Sequence, residues 1–234
     1  MSIQAGASAL EKEHGGRGVL LGGVPGVAPG KVVIIGGGVV GMNAAQMAVG
    51  LGADVTVLDR DPAVLERLAA HFEVRAKTRF ATRAVVEETV AGADLVVGAV
   101  LVPGARTPRL VSRAMLATMQ PGAVLVDVAI DQGGCFETSQ PTTHAAPTYV
   151  EGGIVHYCVA NMPGAVARTS TYALNNATLP HVLAIADLGW RDAMRADPHL
   201  RAGLNVHAGR ITNPAVAEAL GYAATDADEI LESA

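Results

Sequence analysis

Aromatic residues make up only 3% of this 234-residue sequence, which excludes the stacking platforms on which single-stranded RNA is read. Cysteine is nearly absent. Cys135 and Cys158 stand far apart without a metal-ligand spacing, so neither a disulfide framework nor a zinc centre is expected, and both read as small buried residues. Positive charge is also in short supply: the net charge is −5, the isoelectric point is near 5.8 and the arginines are scattered, which argues against a nucleic-acid partner. No apolar run approaches the roughly 20 residues that span a bilayer, and the first residues lack the basic, apolar and small-residue order of a leader. A cytoplasmic protein with no membrane partner is expected. Lysine occurs only at Lys12, Lys31 and Lys77, and none of these follows a predicted sheet strand. None of the seven histidines forms a ligand pair at helical spacing, so no metal site is expected.

What the sequence does have is a hydrophobic fraction of 50% against 17% charged residues, the balance of a folded chain with a sizeable core. Its organising stretch begins at Lys31. Four β-branched residues, Val32 to Ile35, run into Gly36, Gly38 and Gly41, and an alanine-rich helical pattern follows. That glycine spacing between a strand and a helix is a dinucleotide fingerprint. Gly36 serves a tight turn, Gly38 lets the backbone approach a pyrophosphate and Gly41 lets helix pack on strand, while the first amides of the helix attract the anion. A second predicted strand, 54–59, ends on Asp59, 18 residues beyond Gly41, where a carboxylate meets the adenosine ribose hydroxyls.

Strand and helix patterns then alternate: strands at 31–35, 54–59, 73–77, 94–100, 123–128 and 154–159, with helices at 39–51, 62–72, 82–91 and 109–119. Asp61 and Pro62 make a well-formed helix start. Strands apolar on both faces fit a parallel sheet covered by helices, so the fold class is α/β, a Rossmann-type doubly wound parallel sheet. A helix is expected over 2–13 and a turn-rich packed connector over 15–30. Beyond residue 163 the pattern turns helical, with a long helix over 169–188, shorter ones after it, and an acidic end expected to fray from 225. These helices are too few for an independent domain. The expected division is 1–30 as connecting helix and connector, 31–163 as the dinucleotide-binding domain, and 164–234 as the helical part of a second, incomplete domain.

In an open α/β sheet the ligand lies outside the carboxyl ends of the strands, so chemistry is sought just after each strand. Asp131, with Gln132, Gly133 and Gly134 behind it, stands at that mouth; its carboxylate either works in substrate orientation and proton transfer or bonds the backbone of the glycine turn. Asp127 lies inside a strand run and reads as structural. Asn161 follows the last strand and is placed to bond the cofactor amide or a substrate, or else is a turn residue.

The segments 15–26, 36–41, 98–104, 126–137, 141–143, 157–163 and 169–174 together resemble bacterial alanine dehydrogenase. Asp131-Gln132-Gly133-Gly134-Cys135 and Asn161-Met162-Pro163 are its most specific parts. The resemblance implies reversible oxidation of L-alanine by NAD to pyruvate and ammonia, in a homohexamer. It puts Gly36, Gly38, Val39, Val40, Gly41, Asp59, Val100, Leu101, Val128, Asp131, Val159, Asn161 and Met162 at cofactor-contact positions. It makes Asp131 the catalytic aspartate and sets Asn161 beside the substrate. Asp59 implies a preference for NAD over NADP. Ala81 and Gln140 stand where the family often has serine and arginine.

The family's substrate domain, with its arginine, lysine and histidine, has no counterpart in these residues, and Met1 resembles a position inside the helix that joins the two domains. The expectation is a truncated alanine dehydrogenase of impaired activity. A non-catalytic NAD-binding module and the cofactor domain of a transhydrogenase-like protein are the alternatives.

Overall fold

The computed structural model describes residues 1–100 and 107–232. They form two compact units, 1–100 with 107–165, and 166–232.

The first unit is built on a seven-stranded sheet. Its strands are β1 (Lys31–Ile35), β2 (Asp54–Asp59), β3 (Ala76–Phe80), β4 (Leu95–Gly98), β5 (Val124–Asp127), β6 (Thr148–Glu151) and β7 (Ile154–Tyr157). Their spatial order is β3-β2-β1-β4-β5-β7-β6, all parallel except β6 against β7. The chain leaves β1 in one direction to β2 and β3 and returns to the other side of β1 for β4, which makes the β1/β4 boundary the topological switch point. Helices α1 (Ser2–Ala9), α2 (Val39–Gly50), α3 (Pro62–Phe72), α4 (Arg83–Ala91) and α5 (Arg113–Leu116) accompany the sheet.

Strand periodicity explains the two layers of core. Val32 and Ile34 of β1 join Ile3, Leu10, Ala45, Leu68 and Phe72, whereas Val33 and Ile35 point the other way and join Val86, Val90, Met115 and Phe136. Both faces are therefore dry, each large aliphatic side chain contributing about 1.5–3 kcal/mol, and this is why β1 shows no polar alternation.

In the first unit, four elements differ from the sequence reading. The strand expected at 73–77 lies at β3, because Glu73 takes a left-handed conformation (φ 53°) and residues Glu73–Arg75 form a 3-10 turn first. The helix expected at 109–119 shrinks to α5: the Leu110 amide donates to the Cys135 carbonyl at 2.7 Å, and Val111 bridges to Phe136, which holds that stretch extended. β6 was expected as loop. It pairs with β7 through Gly152 and Gly153, both at positive φ, a two-residue hairpin turn that glycine adopts without steric cost. The helix at the start ends at Ala9, followed by the 3-10 turn Lys12–His14.

The second unit contains α6 (Ala167–Leu188), α7 (Trp190–Ala196), α8 (Pro198–Arg201), the short hairpin β8 (Val206–His207) and β9 (Arg210–Ile211), α9 (Pro214–Leu220) and α10 (Ala227–Glu232). Asn213 caps α9 by accepting the Ala215 amide at 3.0 Å. The end expected to fray is helical through Glu232. Ile230 and Leu231 are buried, Arg195 donates to the Leu231 carbonyl, and Arg201 pairs with Asp228 at 2.8 Å. No helix among the described residues is long and apolar enough to cross a membrane.

Candidate functional site

At the switch point, the ends of β1, β2 and β4 and the start of α2 enclose a cleft of about 800 Å³. The glycines explain its shape. Gly36 has φ 102°, and a Cβ there would lie 2.8 Å from the Ala99 carbonyl oxygen. At Gly41 a Cβ would come within 1.7 Å of the Gly36 oxygen, so only glycine lets α2 rest on the turn. Gly38 is different. It caps α2, and a Cβ there would meet nothing within 4 Å, so the absence of a side chain serves open space rather than packing. The first amides of a helix have no intrahelical acceptor, α2 carries no acidic residue in its first turn, and these N–H groups form an anion seat beside Gly38. Val39 and Val40 line the cleft and are 82% and 39% exposed, apolar surface at the mouth of a site.

Asp59 ends β2 on the other wall. One carboxylate oxygen accepts the Gly37 amide at 2.6 Å and the other accepts the Asp61 amide at 2.9 Å. The carboxylate thus ties β2 to the glycine turn while facing the cleft. Val100, at the end of the described stretch after β4, lines the same cleft. Leu101, the neighbouring expected contact, lies outside the described residues.

The end of β5 contains two aspartates in opposite circumstances. Asp127 is fully buried. It accepts the Ala129 amide at 3.1 Å with one oxygen; the other accepts the Cys135 amide at 2.7 Å, the Ser139 hydroxyl at 2.5 Å and the Phe136 amide at 3.4 Å. Burial still pushes its carboxyl above the ordinary range, opposed by these four donors. Asp131 is exposed on the 3-10 turn Ile130–Gln132, and among the described residues its carboxylate makes no hydrogen bond. The Gly133 and Gly134 amides donate to the Ile130 and Ala129 carbonyls, Asp127 takes the Cys135 and Phe136 amides just beyond them, and Asp131 is left exposed as the polar residue at this strand end. Val128 is half-buried, its amide donating to the Gly98 carbonyl at 3.0 Å.

After β7, Val159 and Met162 are buried and Asn161 is exposed in the left-handed region at φ 59°. The Asn161 carbonyl accepts Nε2–H of His144 at 3.0 Å. Sequence reasoning missed His144, because its partner lies 17 residues away and no spacing rule links them.

Both cysteines are free thiols in the core. Burial, reinforced by the Asp127 charge, pushes the Cys135 thiol to about 12, and burial pushes Cys158 to about 11. Among the described residues no three His, Cys, Asp or Glu side chains gather as a metal site.

A family model described as Alanine dehydrogenase/PNT, C-terminal domain, matches residues 2–214. The chain is 63% identical over 231 residues to an alanine dehydrogenase of Halomonas elongata and 54% identical over 231 residues to one of Mycolicibacterium smegmatis. Each alignment takes in 99% of this chain and 62% of the relative, so the chain spans 62% of the length of these curated relatives. Among solved structures, an L-alanine dehydrogenase superposes with TM-score 0.89 at 54% identity, covering 94% of this chain and 61% of that one. A transhydrogenase from Sinorhizobium meliloti gives 0.63 at 28% identity, over 73% and 49%.

Proposed function

Because the chain belongs to the alanine dehydrogenase/PNT C-terminal domain family, we propose that it is the cofactor-binding part of an NAD-dependent alanine dehydrogenase, acting on L-alanine, pyruvate and ammonia. The observation that carries this reading is the open face of Gly38 at the start of α2, opposite Asp59. The residues fit the cofactor: the α2 amides and Gly38 suit a pyrophosphate, and Asp59 suits the ribose hydroxyls. NAD would be held by Gly36, Gly38, Val39, Val40, Gly41, Asp59, Val100, Leu101, Val128, Asp131, Val159, Asn161 and Met162. When bound, NAD supplies the acceptor for a hydride from the amino acid. The chain's own contribution is Asp131, whose exposed carboxylate holds or passes a proton at the substrate. Asn161, its backbone held by His144, bonds the reacting molecule or the cofactor amide.

The likeness to the L-alanine dehydrogenase structure, 0.89 against 0.63 for the transhydrogenase, favours this reading over the transhydrogenase one. A non-catalytic NAD-binding module is a second reading, which rests on the cofactor cleft alone. We further propose a cytoplasmic homohexamer serving L-alanine breakdown. Calorimetric titration with NADH, beside an assay of alanine-dependent NAD reduction, tests these readings. NADH binding supports the cofactor-binding part of a dehydrogenase, turnover excludes the non-catalytic module, and no binding removes both.

A further inference from the structure

The cleft is lined by three arginines that the function proposed above leaves unused, and the following inference rests on that function; Arg109 donates to the Glu137 carbonyl at 3.1 Å, which leaves Arg60 and Arg83. Arg60 and Arg83 both line the cleft and both are exposed. Among the described residues neither pairs with a carboxylate. Their acidic neighbours are engaged elsewhere: Asp59 accepts two backbone amides, and Asp61 accepts the Ala63 amide at 2.9 Å as the cap of α3. Arg83 is the first residue of α4, the end at which the helix dipole disfavours a cation, so helix stability does not account for it.

The wall between these arginines is apolar. Leu58, Ala81 and Val86 are buried and line the cleft beyond Asp59, forming a slot suited to a flat heterocycle next to the ribose carboxylate. Arg60 leaves β2 directly after Asp59, and its Nε donates to the Ala81 carbonyl at 3.4 Å. That bond, long as it is, sets the Nε end of the guanidinium at the rim of the slot while the residue stays exposed. A guanidinium is planar and weakly hydrated, and it stacks on aromatic faces in a way that an ammonium does not.

We propose that Arg60 closes the adenine slot by laying its guanidinium on the base, with Ala81 at the edge that it shares with Arg60 and Leu58 and Val86 as the apolar wall. Arg83 adds positive charge at the same rim. This makes Arg60 a binding residue for the adenosine half of the cofactor, and the planar group rather than the charge is what it contributes.

The test is titration of the 234-residue chain and its variants with NADH, ADP-ribose and reduced nicotinamide mononucleotide, which lacks adenine. Melting temperatures are measured alongside to show that each variant is folded. Arg60→Ala is expected to weaken NADH and ADP-ribose by about five- to tenfold and to leave the mononucleotide unchanged. Arg60→Lys is expected to bind more like Arg60→Ala than like the unaltered chain. An Arg60→Lys closer to the unaltered chain would assign Arg60 to charge alone and overturn the stacking. Equal losses for the mononucleotide, or no loss for ADP-ribose, would overturn it as well. If the unaltered, folded chain binds neither NADH nor ADP-ribose, the cofactor reading itself fails and this inference goes with it.

Discussion

Asp59 and Gly37 are joined by a 2.6 Å hydrogen bond from the glycine amide to the carboxylate, so the residue read as the ribose partner also holds the glycine turn. These two roles respond differently to substitution. Asp59→Asn keeps one acceptor, for the Gly37 amide, loses the one that takes the Asp61 amide and removes the charge, whereas Asp59→Ala removes both acceptors and the charge. Asn is therefore expected to lower the melting temperature less than Ala does and to raise the NADPH-to-NADH affinity ratio. Ala is expected to change that ratio and also to cost about 1 kcal/mol of stability. Equal melting temperatures for the two variants would show that the bond contributes little, and an unaltered ratio in both would remove Asp59 from cofactor choice.

Two glycines of the same fingerprint are expected to behave in opposite ways. Gly38→Ala adds a methyl group that meets no protein atom within 4 Å and a conformation (φ −65°) that alanine accepts, so the fold should persist while NADH affinity falls at least about tenfold. Gly41→Ala places its Cβ 1.7 Å from the Gly36 oxygen and must push α2 off the turn, at a cost of about 2–3 kcal/mol or more. Thermal melts and NADH titrations of the pair separate packing from binding. A destabilised Gly38→Ala with intact affinity would contradict the assignment.

His156 gives the first unit a dependence on pH. It is fully buried, its Nδ1–H donates to the Ile154 carbonyl at 3.0 Å, its Nε2 accepts the Thr138 hydroxyl at 2.8 Å, and Tyr149 stacks on it with ring centres 4.8 Å apart. Burial, with some help from Arg113, lowers its pKa below the ordinary 6.5. Between that lowered value and 6.5 the unfolded chain binds more protons than the folded one. The stability linked to neutral His156 is therefore present above pH 6.5 and is lost as pH falls through the folded value. The melting temperature should drop from pH 7 to 5, and His156→Gln should flatten that slope. An identical slope in the variant would place the acid sensitivity elsewhere.

The aspartates at the end of β5 should separate by stability. Asp131→Asn alters an exposed group without a hydrogen bond among the described residues, so a change within about 0.5 kcal/mol is expected, with NADH affinity nearly kept. Asp127→Ala strands the Cys135 amide and the Ser139 hydroxyl in the core and should cost several times as much, about 3 kcal/mol or more. Chemical denaturation of both variants decides this, and a large loss in Asp131→Asn would make it a structural residue instead.

Much of the cofactor half was legible because its signals are local. Glycine spacing, the β-branched run of β1 and the Asp61-Pro62 start are properties of neighbours, and each follows from the conformation that one residue or a short run can adopt. The α5 region and β6 were misread for the converse reason. Leu110 is extended because Cys135, 25 positions away, accepts its amide, and no pattern within residues 109–119 records that. Gly152 and Gly153 did offer a hairpin signal, which the surrounding loop-like composition hid.

By itself, then, the sequence determined the parallel α/β layers, the glycine cradle and the carboxylate at the end of β2, since hydrophobic period and backbone freedom act over a few residues. Only the tertiary structure decided which aspartate holds the loop and which is free, that Asp59 also holds Gly37, and that Arg60 leans on Ala81. Those outcomes depend on which donors and acceptors the fold brings within hydrogen-bond distance of a side chain. Desolvation then makes an unfilled partner costly, so a buried carboxylate such as Asp127 gathers the donors around it while Asp131, a few residues on, stays exposed and without a hydrogen bond among the described residues.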